Sequence, residues 1–146
     1  MKKLFLLFVC LFSLSLASWA GHDKPIQVSE LPKKAQEFLQ SYFAGQSVAL
    51  AKVDKELMHH SYEVIFDNGN EVEFNKKGEW TSVDCKQSQV PAALVPKRIQ
   101  EYVGKHYPKA KIRKIELTDH KGYEVKLDNG FELEFDKKMN IKDIDR

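Results

Sequence analysis

The segment Tyr62-Glu63-Val64-Ile65-Phe66-Asp67-Asn68-Gly69 returns as Tyr123-Glu124-Val125-Lys126-Leu127-Asp128-Asn129-Gly130. The match continues without a gap, Glu71-Val72-Glu73-Phe74-Asn75-Lys76-Lys77 becoming Glu132-Leu133-Glu134-Phe135-Asp136-Lys137-Lys138. A recurrence of this length constrains the fold more than composition does, because each copy must bury the same apolar positions in the same way. Upstream, Leu31-Pro32-Lys33 and Val95-Pro96-Lys97 open two further matching stretches, in which Phe38, Leu39 and Phe43 are answered by Tyr102, Val103 and Tyr107. The chain therefore reads as a duplicated unit over residues 21–86 and 87–146, with the junction near residues 87–91.

Each unit is expected to begin with a helix. Leu31, Ala35, Phe38, Leu39, Tyr42 and Phe43 fall on one stripe at 3.6 residues per turn, as do Val95, Ile99, Tyr102, Val103 and Tyr107. Proline sits in the first turn both times, where its missing N–H costs little, and Gly45 and Pro108 supply the stops.

The period then changes to two. Tyr62, Val64 and Phe66, then Val72 and Phe74, alternate with polar residues, and Tyr123, Val125, Leu127, Leu133 and Phe135 repeat the pattern. A two-residue Asn-Gly turn would set Phe66 against Glu71. A three-residue Asp67-Asn68-Gly69 loop instead pairs Val64 with Val72 and Tyr62 with Phe74, which keeps the apolar face intact. The second copy then pairs Val125 with Leu133 and Tyr123 with Phe135. Further strands are expected around residues 51–53, 80–83, 115–117 and 141–144. The opposite parity of Trp80 and Val83 requires a bulge or a strand end between them. The expected fold class is α+β: a tandem repeat of a helix followed by a three- to four-stranded antiparallel sheet, the two units joined into one domain, since about 60 residues alone would be marginal.

The same register sets Glu63 opposite Glu73 and Glu124 opposite Glu134 on the wet face. Like charges directly across a strand pair are mildly destabilising. Either lysines of neighbouring strands such as Lys52, Lys114 or Lys142 neutralise them, or the four glutamates meet a basic partner or a divalent cation, calcium being suited to carboxylate oxygens. The two Asp-Asn-Gly loops offer oxygens too, but without the ligand ladder of an EF-hand they read as turn chemistry.

Lys2-Lys3, the apolar run from Leu4 to Leu16 and the small residues around Ala20 read as a cleaved export signal over residues 1–20, the run being shorter than the roughly 20 residues a bilayer span needs. Export places the protein in the periplasm or outside the cell, with no membrane insertion after cleavage. Without the signal the 23 basic residues lose Lys2 and Lys3 and balance the 21 acids. The interspersion of both signs gives no basic stripe for nucleic acid. Cys85 is the single cysteine left after cleavage, so no intrachain disulfide forms. It is either a buried small hydrophobe or a route to a covalent dimer.

Nothing in the residues suggests an enzyme or a resident cofactor. The five histidines show no metal-ligand spacing beyond the adjacent His59-His60, and there is no Gly-rich phosphate loop or serine nucleophile elbow.

The repeated Leu/Val-Pro-Lys helix start, Tyr-Glu-Val strand, Asp-Asn-Gly loop and acidic alternating strand resemble the PepSY-like family of secreted bacterial proteins, whose fold is similar to that of β-lactamase inhibitory protein. The resemblance implies an antiparallel sheet with helices on one face and the other face open, in some members a docking surface for a partner protein. The expected function is a non-enzymatic binding module, with protein or peptidase inhibition as one form of it, meeting an extracytoplasmic partner through the open face. Glu63, Glu73, Glu124 and Glu134 are the candidate contacts there. Trp80 is the candidate aromatic anchor, although a core tryptophan closing the sheet would look the same in sequence. The alternative is a calcium-responsive envelope protein binding cations at the same acidic positions.

Overall fold

The structure is a computed structural model that describes residues 23–56 and 59–146; the expected signal over residues 1–20 lies outside these. Pro32 and Pro96 stand at the N-terminal ends of the two helices, α1 (Lys33–Phe43) and α2 (Lys97–His106). Each helix turns one apolar stripe inward: Ala35, Leu39 and Phe43 are buried on α1, Ile99 and Val103 on α2. Short 3-10 turns, Val28–Glu30 and Ala92–Leu94, lead into them.

Nine strands follow one another: β1 (Asp23–Ile26), β2 (Val48–Lys55), β3 (His60–Phe66), β4 (Glu71–Asn75), β5 (Trp80–Asp84), β6 (Ile112–Leu117), β7 (Tyr123–Leu127), β8 (Glu132–Phe135) and β9 (Ile141–Asp145). All pair antiparallel, and their order in space is their order in sequence. The hairpin loops take the three-residue form that the parity requires. Gly69 and Gly130 adopt φ of 83° and 91°, a conformation that glycine reaches without a Cβ clash. Phe66 N–H donates to the Asn70 carbonyl at 2.9 Å, and Leu127 N–H to the Phe131 carbonyl at 2.8 Å. The pairs Tyr62–Phe74, Val64–Val72, Tyr123–Phe135 and Val125–Leu133 result.

Both helices lie on the same face of this sheet and supply its core. Phe38 meets Phe74 edge-on with centroids 5.5 Å apart, and Tyr102 meets Phe135 likewise at 5.5 Å. Phe43 stacks on Phe66 at 5.2 Å. Phe74, Phe135, Ile99, Ile115 and Leu133 are fully buried, each worth about 1.5–3 kcal/mol relative to exposure. The β4–β5 turn passes close under α1: a Cβ added to Gly78 (φ 78°) would lie 2.7 Å from the Pro32 side chain, so glycine there permits the contact.

The expected fold class needs correction. The chain does not form a tandem arrangement of a helix plus its own three- to four-stranded sheet; the described residues form one nine-stranded antiparallel sheet with two short α-helices. The reason is the double use of β5. Its Glu71–Asp84 and Val72–Val83 pairs face β4, while Val83–Ile115 and Asp84–Lys114 face β6. Cys85 N–H donates to the Arg113 carbonyl (2.7 Å) and Val90 N–H to the Ile112 carbonyl (2.8 Å), so the ladder runs through the residues read as a junction.

Candidate functional site

Alternation along each strand leaves every second side chain on the face away from the helices. Tracing partner to partner across that face gives one continuous row: Pro25, Lys52, Glu63, Glu73, Ser82, Glu116, Glu124, Glu134 and Asp143. From β3 to β9, six of the seven positions are carboxylates and the seventh is the buried Ser82. At an inter-strand spacing of about 4.8 Å this acidic row extends roughly 30 Å.

All four predicted glutamates therefore fall in one row, and Glu63–Glu73 and Glu124–Glu134 are direct cross-strand pairs. Lys52 bridges Glu63 (2.7 Å) and Asp23 (2.9 Å), and these two hydrogen bonds raise the lysine's pKa well above its ordinary value. Lys142 reaches Glu134 at 2.5 Å, whereas Lys114 serves Glu116 on its own strand, also at 2.5 Å. Glu73 and Glu124 form no ion pair among the described residues. Partial desolvation by its neighbours, then the charges of Glu63 and Glu116, push the Glu73 carboxyl above its ordinary pKa even though the residue stays open to solvent.

The adjacent row is more nearly neutral. It runs Glu71, Asp84, Lys114, Lys126, Glu132, Asp145. Lys86 spans Asp84 (2.9 Å) and Glu71 (3.5 Å), and Lys126 holds Glu132 at 2.5 Å.

Two shallow concavities open on this face. One, about 190 Å³, is lined by Asp23, Lys52, Asp54, Glu63 and Glu73 among others. The other, about 150 Å³, is lined by carboxylates alone: Glu124, Glu132, Glu134, Asp143 and Asp145. The donor chemistry of the second, all oxygen, suits calcium, whereas the Lys52 ammonium lines the first. Their placement in this structure does not complete a site, because among the described residues no three histidines, cysteines or acids converge on a metal position. Calcium needs 6–8 oxygens around one point.

Trp80 is placed apart from the glutamates. It pairs with Phe74 and packs against the core on the helix side, 6.5 Å from the Phe38 ring. The parity conflict between Trp80 and Val83 is resolved by a bulge, the register slipping between Glu73 and Phe74. Cys85 is buried, and desolvation raises its thiol pKa, which disfavours the reactive thiolate. Lys52, Ser82, Glu116, Asp143 and Asp145 are members of the face that lie outside the hairpin motif. On the helix side a larger hollow, about 450 Å³ beside α1 and lined by Leu39, Phe43, Val48 and Phe66 among others, contains no serine, cysteine or histidine.

The family model described as "Putative beta-lactamase-inhibitor-like, PepSY-like" matches residues 60–143. A Bacteroides thetaiotaomicron structure, described as "a putative calcium-regulated periplasmic protein", is 53% identical with a TM-score of 0.82, over 85% of this chain and 97% of that one. A Bacteroides vulgatus structure, described as "a putative periplasmic protein", is 51% identical with a TM-score of 0.83, over 87% and 99% of the two chains. Another from Bacteroides vulgatus, described in similar terms and as of unknown function, is 37% identical with a TM-score of 0.79, over 85% and 99%. No curated protein matches the chain.

Proposed function

We propose that this chain, which belongs to the PepSY-like family, is a periplasmic, non-enzymatic binding module that engages a basic partner protein through the open face of its sheet. The observation that carries the reading is the acidic row from Glu63 to Asp143, which the neighbouring lysines neutralise only in part. A row of charges on an otherwise flat face raises the rate and the selectivity of association with a complementary surface. The periplasmic location rests on the likeness to structures so described and on the expected export signal. Inhibition of the bound partner would be one consequence of such docking.

A second reading is favoured by the all-carboxylate concavity at Glu124, Glu132, Glu134, Asp143 and Asp145, together with the 53% likeness to a protein described as calcium-regulated. In it, calcium draws these side chains together and changes what the face presents.

The test compares the chain from residue 21 onward with its Glu116→Gln/Glu124→Gln/Glu134→Gln variant. Envelope proteins captured by the first, released by salt and lost with the variant are the expected result; capture indifferent to both salt and variant would overturn the open-face reading. Thermal unfolding with calcium, and magnesium as control, decides the second reading. A ligand at 100 times its dissociation constant stabilises by about 2.7 kcal/mol, so equal midpoints in both ions would remove calcium from consideration.

A further inference from the structure

Strand β9 is the last strand of the sheet among the described residues. Among the described residues nothing pairs with its outer edge, and all five of its residues are exposed, Ile144 by 45%. Strand β5 shows what such an edge can hold. Each strand enters through a bulge: the register slips between Trp80 and Ser82 on β5, and between Ile141 and Asp143 on β9. Beyond its bulge, β5 uses Ser82, Val83 and Asp84 to receive β6, pairing them with Glu116, Ile115 and Lys114. In β9 the matching places belong to Asp143, Ile144 and Asp145.

The backbone donors agree with this correspondence. Where Cys85 N–H donates to the carbonyl of Arg113 in β6, Arg146 N–H donates to Asp145 Oδ1 at 2.7 Å. Two residues earlier, Ile144 N–H donates to Asp143 Oδ1 at 3.0 Å. Alternate N–H groups of an edge strand point away from its neighbour. The two aspartates thus occupy donors that a further strand would take.

We propose that β9 receives an extended segment of a partner protein as an additional antiparallel strand, with basic side chains opposite Asp143 and Asp145 and an apolar one opposite Ile144. The template is internal: Lys114 lies opposite Asp84, and Ile115 opposite Val83. The incoming carbonyls take the Ile144 and Arg146 N–H groups, and the displaced aspartates turn to the basic side chains. Strand addition of this kind draws affinity from the main chain and selectivity from alternate side chains. A second copy's β9 is a poor occupant, because aspartates would then face aspartates, with Glu132 and Glu134 behind them. The proposal rests on the open-face reading for the sign of the partner's charge and goes beyond it in placing that partner on the edge.

The test uses the isotope-labelled chain from residue 21 and a capped heptapeptide in which lysines alternate with isoleucines between serines. Its controls are a peptide of the same composition with lysines and isoleucines in blocks, and an alternating peptide with methylated backbone nitrogens. Binding of the alternating peptide should slow amide exchange at Ile144 and Arg146 by about tenfold or more. Blocking or methylation should weaken it at least as much. Ile144→Lys, at an exposed position, should abolish binding without unfolding the chain. Equal binding by all three peptides, with shifts at Glu116, Glu124 and Glu134 but none at β9, would overturn the edge proposal and leave the open-face reading standing. No binding by any peptide would overturn the edge proposal, the open-face reading then being judged by its own capture experiment.

Discussion

Two hairpins of nearly the same sequence present the same glutamates and end in different electrostatic surroundings. In β3–β4, Glu63 and Glu73 are flanked by Lys52 on one side and Ser82 on the other; in β7–β8, Glu124 and Glu134 are flanked by Glu116 and Asp143. Lys52, 24% exposed at its side chain, sits centrally and serves two carboxylates. Lys126 and Lys142, 41% and 47% exposed, stand at the rim and serve one each, which leaves Glu124, Asp143 and Asp145 to line the hollow. A repeated motif therefore sets geometry, and the strands beside it set the chemistry.

The largest effects should be the ones that the two regions share. Phe74→Ala and Phe135→Ala each remove a fully buried ring from an edge-on aromatic contact, and each should cost about 3–5 kcal/mol in urea unfolding. Costs differing by more than that range would mean that the hidden faces are less alike than their geometry. The flanks should then separate the two regions in sign. Lys52→Glu leaves Asp23 and Glu63 without their shared cation and should destabilise by about 1 kcal/mol, while Glu116→Lys should stabilise by about 0.5 kcal/mol, both within the range of partly exposed cross-strand pairs. Shifts of the same sign from both substitutions would break the comparison.

The smallest effect concerns a single proton. The raised pKa of Glu73 means that the folded state holds that proton more tightly than the unfolded chain does, so its contribution favours folding at low pH and is lost as pH rises through the raised value. Glu73→Gln should accordingly stabilise by about 0.5 kcal/mol at neutral pH, where screening keeps the effect small. That gain should fade on acidification and vanish below about pH 4. A gain independent of pH would assign the effect to packing.

The hairpins were legible in the sequence because their information is local. Asp67-Asn68-Gly69 and the alternation on either side are enough to set Tyr62 against Phe74 and Glu63 against Glu73. The row beyond the hairpins was not, since bulges at β2, β5, β6 and β9 shift parity in ways that alternation cannot follow. Trp80 illustrates this: a bulge turns it toward Phe38 and away from the glutamates. The expected division into helix-plus-sheet units failed for a related reason. Pairing of β5 with β6 spans the whole of α2, and the polar residues between them look like a linker until the N–H groups of Cys85 and Val90, which flank that polar run, are traced to Arg113 and Ile112. Strand β1, only four residues and almost wholly exposed, carried no apolar alternation to announce it.

Because the spatial order of the nine strands is their order along the chain, no strand must wait for a distant one before it can pair. Hairpin closures span a few residues, and even the two longer connections are shortened by the helices they contain. Contacts this local cost little loop entropy, so folding should be quick for a protein so rich in sheet. Growth can also proceed one strand at a time from the N-terminal end. A chain delivered gradually, N-terminus first, would add each strand to an edge already formed by the one before it.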